Sequence, residues 1–334
     1  MAVISDSYTQ LVRKLILFDE IPARTRYLPP KTVQEIFRYG ATVATTIHKF
    51  ENLTRCMDRA RLLIRDYEEK GLSFPCGMVI MADELTGSTG RFGRYWHAPR
   101  GGLWITLVFV NTLLPDNKGI IPLAAGVACC ETIREYGIYA HVKWVNDVLA
   151  DGKKVAGILT ETMTGPRFGE EYILVGIGIN VNNDSFPDEL AHLAVSMKSI
   201  LKKELDINMV AARLFAKLSW NMGILHYEDR LCLEQITPYE QENEKEHMLL
   251  KQWRSLSNTI GRKVCFAYNL EKGPSYEANV EDLDAKGGLI LRLVENGKIV
   301  VEKSGEILYL DEANPNHPPL RKKQPVDNIT DIHL

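Results

Sequence analysis

Apolar positions recur along the chain with two different periods, and the change of period marks its elements. Over residues 54–70, Met57, Ala60, Leu63 and Ile64 fall on one side of a 3.6-residue repeat, and Gly71 follows as a stop. That spacing predicts a helix. Met78-Val79-Ile80-Met81 is a short unbroken apolar run, and residues 103–110 form another; both read as buried strands. Residues 121–136 are apolar, rich in alanine and closed by Gly137, which predicts a buried helix. Residues 141–144, 155–161 and 172–180 read as short strands, with Asp151-Gly152 as a hairpin turn among them.

The pattern then changes twice. Residues 184–255 are rich in Leu, Glu and Lys with helical periodicity, clearest over 210–225, whose apolar stripe reads as a packing face. From Ile260 five short runs separated by turn signals predict a small all-β barrel. Residues 1–45 are mixed and broken by Pro22, Pro29 and Pro30, so they read as an N-terminal extension. The segment 312–334 mixes four prolines' worth of turn chemistry, from Pro315 to Pro325, with charges and reads as a flexible tail. The expected organisation is an extension at 1–45, a catalytic domain at 46–258 and a barrel at 259–311. The fold class expected is α+β, a mixed sheet flanked by helices.

Composition narrows the function classes. Forty Lys+Arg against 43 Asp+Glu leave a net charge of -3, with no basic excess to drive nucleic-acid binding. No apolar run approaches the roughly 18 residues of a membrane span, and the first residues lack the pattern of a secretory signal. The six cysteines form no CxxC pair, and Cys129-Cys130 lie in the apolar helix. Free thiols in a reducing cytoplasm follow from this, with no metal site assigned.

Two segments carry chemistry. The first, Thr86-Gly87-Ser88-Thr89-Gly90-Arg91-Phe92-Gly93-Arg94-Tyr95-Trp96, lies between two buried strands. Its glycines let backbone N–H groups approach an anion, Arg91 and Arg94 add charged donors, and Trp96 offers an apolar wall. The glycine pattern of a phosphate loop followed by Gly-Lys-Ser/Thr is absent. The second segment runs Lys143-Trp144-Val145-Asn146-Asp147 and, beyond the turn, Lys154-Val155-Ala156-Gly157-Ile158-Leu159. A lysine and a carboxylate on adjacent hairpin strands form either a functional pair or a solvated ion pair worth under ~1 kcal/mol.

Together these segments resemble the biotin protein ligase family. Its signature is a Gly-Arg loop ending Gly-Arg-x-Trp, then Lys-Trp-Pro-Asn-Asp, then Lys-x-Ala-Gly-Ile-Leu. Further agreement comes from Pro122-Leu123-Ala124-Ala125-Gly126, from Gly176-Ile177-Gly178-Ile179-Asn180, and from a terminal segment opening Gly261-Arg262-Lys263-Val264. The resemblance implies a class II synthetase-like catalytic domain with a small SH3-like barrel. It also implies a two-step ligation. Biotin and MgATP give biotinyl-5′-AMP, and a lysine of a biotin carboxyl carrier domain then attacks the anhydride. It assigns catalytic roles to Asp147 and Lys154. It assigns substrate binding to Thr86, Gly90, Arg91, Phe92, Arg94, Trp96, Lys143, Asn146, Gly157, Gly176, Gly178 and Asn180.

By the same resemblance the site uses Mg²⁺, the protein is cytoplasmic, and a homodimer is compatible with the family. Members that bind DNA carry an N-terminal winged helix. Residues 1–45 are short and not basic, so no DNA binding is expected. Ser88-Thr89 and Val145 depart from the family pattern, and around Thr54 only Met57-Asp58 fits it. Two alternatives stay open: a ligase for lipoate or another acyl acid on the same fold, and a degenerate ligand-sensing member.

Overall fold

A computed structural model describes residues 2–3, 6–234 and 247–310. The tail expected at 312–334 lies outside the described residues. Chain contacts divide the protein into two units, residues 1–257 and residues 258–334.

The first unit begins with β1 (Ala2–Val3), α1 (Asp6–Leu15), a π-helical turn, α2 (Ile21–Arg24) and α3 (Pro30–Tyr39). Next come β2 (Ile47–Leu53), α4 (Cys56–Glu69), β3 (Met78–Leu85), β4 (Leu103–Val110) and α5 (Ile121–Arg134). Then follow β5 (Ala140–Lys143), β6 (Asp147–Ala150), β7 (Lys153–Thr164) and β8 (Glu171–Ile179). Helices α6 (Asp188–Ala191), α7 (Met197–Leu201), α8 (Ile207–Leu233) and α9 (Met248–Leu256) complete the unit.

The sheet has the order β1-β2-β3-β4-β8-β7-β6-β5, and β2–β3 is its parallel pair. One face packs on α4, whose Met57, Ala60, Leu63 and Ile64 join Ile80, Ala82, Val108 and Leu174 in a buried cluster. The other face packs on α5, where Gly126 lies against Val142 and Ile158. The stripe predicted over 210–225 is buried in α8, which packs against α3 and α5.

Residues 1–45 correct the sequence reading. Pro30 stands in the first turn of α3, where a missing N–H costs no hydrogen bond, while Pro22 follows a π-helical turn in a helical run continuous from α1 into α2, so neither breaks the chain. These helices are built into the unit. A Cβ on Gly223 of α8 would sit 2.1 Å from the Ile36 carbonyl oxygen of α3, so the two backbones touch. Arg24 grips Glu131 of α5 with two hydrogen bonds of 2.8 and 2.9 Å, and Lys217 of α8 pairs with Glu20 and with Glu135.

The second unit holds β9 (Lys263–Ala267), β10 (Ser275–Leu283), β11 (Leu289–Leu293), β12 (Ile299–Glu302) and β13 (Glu306–Tyr309). They form an antiparallel sheet in the order β12-β11-β10-β9-β13, consistent with an SH3-like domain. The expected barrel is not closed among the described residues. Lys303-Ser304-Gly305, with Gly305 at φ 145°, carries the chain from one sheet edge to the other without a β12–β13 ladder.

Candidate functional site

The β6–β7 hairpin sets the site's geometry. Asp151 and Gly152 both have positive φ, 51° and 72°, as a tight two-residue turn matched to strand twist requires. Beyond the turn, Leu149 faces Lys154 while Val148 faces Ala156, so one extra residue bulges on β7. The bulge brings Lys154 Nζ to 2.5 Å from Asp147 Oδ1. Opposite charges meet there without hydrogen-bond alignment, so Asp147 Oδ1 still lacks a donor. Both side chains are about one quarter to one third exposed, at 24% and 31%. Such a pair adds little stability.

Register lays a row of matched residues across the sheet. Lys143 pairs with Asp147, Asp147 with Gly157, Gly157 with Gly178, and Gly178 with Trp104. Cross-strand partners share a face, so charges stand at one end, glycines in the middle and an aromatic ring at the other end. Trp96 lies on the glycines. A Cβ on Gly178 would meet Trp96 Cζ2 at 2.8 Å, and one on Gly157 would meet Trp96 Cζ3 at 3.0 Å and Lys154 Cε at 2.8 Å. Lys154 Nζ sits 5.1 Å from the centre of the Trp96 ring, and the edge of Trp104 braces that indole from 6.4 Å. Gly176, one turn of the pleat further along β8, is covered by Met57, whose Cε would lie 2.7 Å from a Cβ there. The glycines therefore make room for protein side chains as well as keeping a flat floor.

The loop over residues 86–96 is a small folded hairpin. Thr86 N–H donates to the Leu53 carbonyl and Gly87 N–H to that of Thr54, which anchors its base. Gly90 N–H donates to the Arg94 carbonyl, Trp96 N–H to that of Ser88, and Thr89 bridges Tyr95. At the tip Phe92 takes a left-handed conformation, φ 59° and ψ 19°. The guanidinium carbons of Arg91 and Arg94 lie 5.0 and 5.4 Å from the Phe92 ring centre. The ring faces both charges.

Two asparagines serve the frame. The Asn146 amide donates to the Ile158 carbonyl at 2.7 Å, while Ile158 N–H returns a bond of 2.9 Å to the Asn146 carbonyl. This clasp holds the β5–β6 turn on β7, and the neighbouring Trp144–Val145 peptide is cis. Asn180 is buried, its amide directed at the Lys154 carbonyl from 3.4 Å, and its Oδ1 has no donor. Lys154 is held further by Leu193 and Val195, which exchange backbone bonds of 2.8 and 3.1 Å with it.

Some of the site's neighbours, Glu161 and His97 among them, escaped sequence reading. Arg55, Met57 and Glu161 border the Gly176 end, and Arg55 pairs with Glu161 at 3.2 Å. Burial alone would raise the Glu161 carboxyl, but Arg61 and Arg55 outweigh it and hold it below the usual range. His97 packs against Phe186 at 6.2 Å, and burial lowers its imidazole against the pull of Glu189. The helical period over 54–70 marked Met57; nothing in the pattern marked Arg55 or Glu161, because their pairing spans about a hundred residues of chain. Among the described residues, no cluster of three or more metal-binding side chains occurs.

Known proteins bring independent comparisons. The model of the biotin/lipoate A/B protein ligase family matches residues 67–180. The bifunctional ligase/repressor BirA of Bacillus subtilis is 38% identical over 136 residues, covering 40% of this chain and 42% of that protein. This chain thus spans less than half the length of that relative. The biotin–[acetyl-CoA-carboxylase] ligase of Mycobacterium tuberculosis is 29% identical over 240 residues, covering 70% of this chain and 79% of its own. The solved biotin protein ligase of Aquifex aeolicus, in complex with biotin and ATP, superposes with a TM-score of 0.62 at 22% identity. That likeness covers 79% of this chain and 98% of the other, and it speaks for the fold.

Proposed function

We propose that this chain, whose residues 67–180 match the biotin/lipoate A/B protein ligase family, is an ATP-dependent biotin protein ligase. It joins biotin to AMP and then passes biotin to a lysine of a carboxyl carrier domain. The observation that carries the reading is the matched row with Lys154 and Asp147 at its charged end and Trp96 laid on its glycines.

A carboxylate and a triphosphate repel each other as they meet. Lys154 holds the acid's carboxylate beside Gly157 and then the phosphate of the adenylate, offsetting charge where it develops. Trp96 supplies the apolar wall along the acid's body. Arg91 and Arg94, beside Phe92, face the phosphates. The oxygens of Asp147, which also meets Lys154, and of Asn180 are of the hard type that Mg²⁺ accepts alongside nucleotide phosphates, and the ion would supply charge neutralisation there. In the second step Asp147 orients the incoming lysine amine and takes its proton as the C–N bond forms. AMP leaves with the electron pair of the broken acyl–phosphate bond.

The packing of helices α1 to α3 into the unit, with Arg24 engaged by Glu131, supports the expectation that these residues are not a DNA-binding element. Residues 159–164 of β7 pair with β8 on one side, while the ladder with β6 ends at the Asp147–Gly157 pair. That strand edge is suited to a carrier domain or to a second copy of the chain. The test is incubation of the pure protein with MgATP, biotin or lipoate, and a carrier domain. A mass gain equal to one biotinyl group supports the reading. Lipoyl transfer alone, or no product, removes it.

A further inference from the structure

We propose that Lys153 is a positioning residue: by tying the end of α6 to the β6–β7 hairpin, it seats the segment that holds the Lys154 backbone in place. The inference deepens the biotin ligase reading and rests on it. It concerns a lysine to which that reading gives no role.

Lys154 stands where the sheet runs out. Strand β8 stops at Ile179, opposite Ala156, so it offers no partner to Lys154 two residues earlier on β7. The segment over residues 193–195 takes that place. Its Leu193 carbonyl accepts the Lys154 N–H at 2.8 Å, Val195 N–H returns a bond of 3.1 Å to the Lys154 carbonyl, and the two runs lie parallel. On its other side Lys154 faces Leu149 of β6, next to the bulge. The segment is therefore one of two walls that fix the backbone from which the Lys154 side chain reaches Asp147.

That wall buries little of itself. No residue of α6 is buried, and Ala191, His192 and Leu193 are exposed. Stretches with few buried apolar contacts open at low free energy. Full burial begins only at Ser196 and Met197. Ahead of that anchor, the hairpin holds the stretch through the two Lys154 backbone bonds and through Lys153, whose Nζ donates to the Ala191 carbonyl at 2.9 Å. Ala191 closes α6, and the last carbonyls of a helix have no partner within it. The ammonium takes an acceptor that the helix itself leaves open. Neighbours on a strand point to opposite faces, which lets Lys154 turn to Asp147 while Lys153 turns to α6.

The test compares the wild type with Lys153→Met, which keeps an unbranched stem and loses the donors, and with Lys153→Arg, which keeps a charged donor. Hydrogen exchange at the Val195 amide reads the seat directly, because that amide bonds to Lys154 and lies far along the chain from the substitution. In Lys153→Met, loss of one hydrogen bond speeds its exchange about three- to tenfold. The Ile158 amide, bonded to the Asn146 carbonyl, keeps its rate. Pyrophosphate release at saturating biotin and ATP falls about three- to tenfold, because a displaced ammonium stabilises less of the charge that develops. Lys153→Arg brings both readings back to within about twofold of the wild type. Unchanged Val195 exchange in Lys153→Met overturns the proposal. So does faster exchange with an unaltered rate, which marks the tie as merely structural, and so does a Lys153→Arg protein no better than Lys153→Met. A wild type that releases no pyrophosphate with biotin sinks the ligase reading instead, and exchange, which needs no activity, tells the two failures apart.

Discussion

The β6–β7 hairpin and the loop over residues 86–96 meet at the Trp96 indole, yet different forces hold them. The hairpin belongs to the sheet, and its ladder, bulge and Asn146 clasp fix Lys154 against Asp147. The loop is anchored by two backbone bonds at its base, and its own backbone bonds run through Gly90, Arg94, Ser88 and Trp96. Chemistry that depends on the distance between two charges sits on the rigid side. Groups that must let a nucleotide in and out sit on the loop. A side chain lost from the hairpin should therefore reduce the rate of chemistry, and one lost from the loop should weaken binding.

The largest effect expected is from Lys154→Ala. Removing the ammonium should lower adenylate formation about 10²–10³-fold while the melting temperature stays near that of the wild type, since a partly exposed ion pair adds under ~1 kcal/mol. Pyrophosphate release at saturating biotin and ATP is the measurement. An equal rate in the mutant would remove Lys154 from the chemistry. Gly178→Ala comes next. Its Cβ would press on the indole at 2.8 Å, and because an indole can swing away where backbone cannot, the fold should survive. Displacing Trp96 should raise KM for biotin about tenfold, in the range of a ~1–3 kcal/mol overpacking cost. Unaltered biotin binding would show that Trp96 is not the wall.

How much of this was legible in the sequence differs between the two sides. Asp151-Gly152 announced its turn, and the turn forms with both residues at positive φ. The buried strands and the helices over 54–70 and 121–136 were legible because their apolar periods are long and undisturbed. The bulge that sets Lys154 beside Asp147 was not, because a one-residue slip leaves no mark in composition. Nor was the indole stacked on Gly157 and Gly178, since the glycines lie about sixty and eighty residues from Trp96 and only sheet register brings them together. Pro22 and Pro30 were read as breakers, but Pro30 starts a helix and Pro22 is taken up beside a π-helical turn. The Glu20, Arg24, Glu131 and Lys217 network joins three distant segments, and no local pattern records it.

The smallest effect expected comes from the loop tip. Phe92→Gly relieves a left-handed conformation but frees the unfolded chain, so stability should move by no more than ~1 kcal/mol. It also removes the ring beneath Arg91 and Arg94, and KM for ATP should rise about two- to fivefold, the scale of an exposed cation–π contact. Titration calorimetry with a non-hydrolysable ATP analogue reads this directly. A loss as large as that of Lys154→Ala would erase the distinction between the two sides.

The most direct test of the account uses Asp147→Asn with preformed biotinyl-5′-AMP and a carrier domain, in single turnover. The acceptor lysine has a pKa near ~10.4 and attacks as the free amine. With Asp147 present, the carboxylate collects the proton; with Asn there, transfer should fall about 10²-fold at neutral pH and recover as pH rises toward the lysine pKa. A mutant that transfers biotin at the wild-type rate across that pH range would contradict the role given to the charged end of the row.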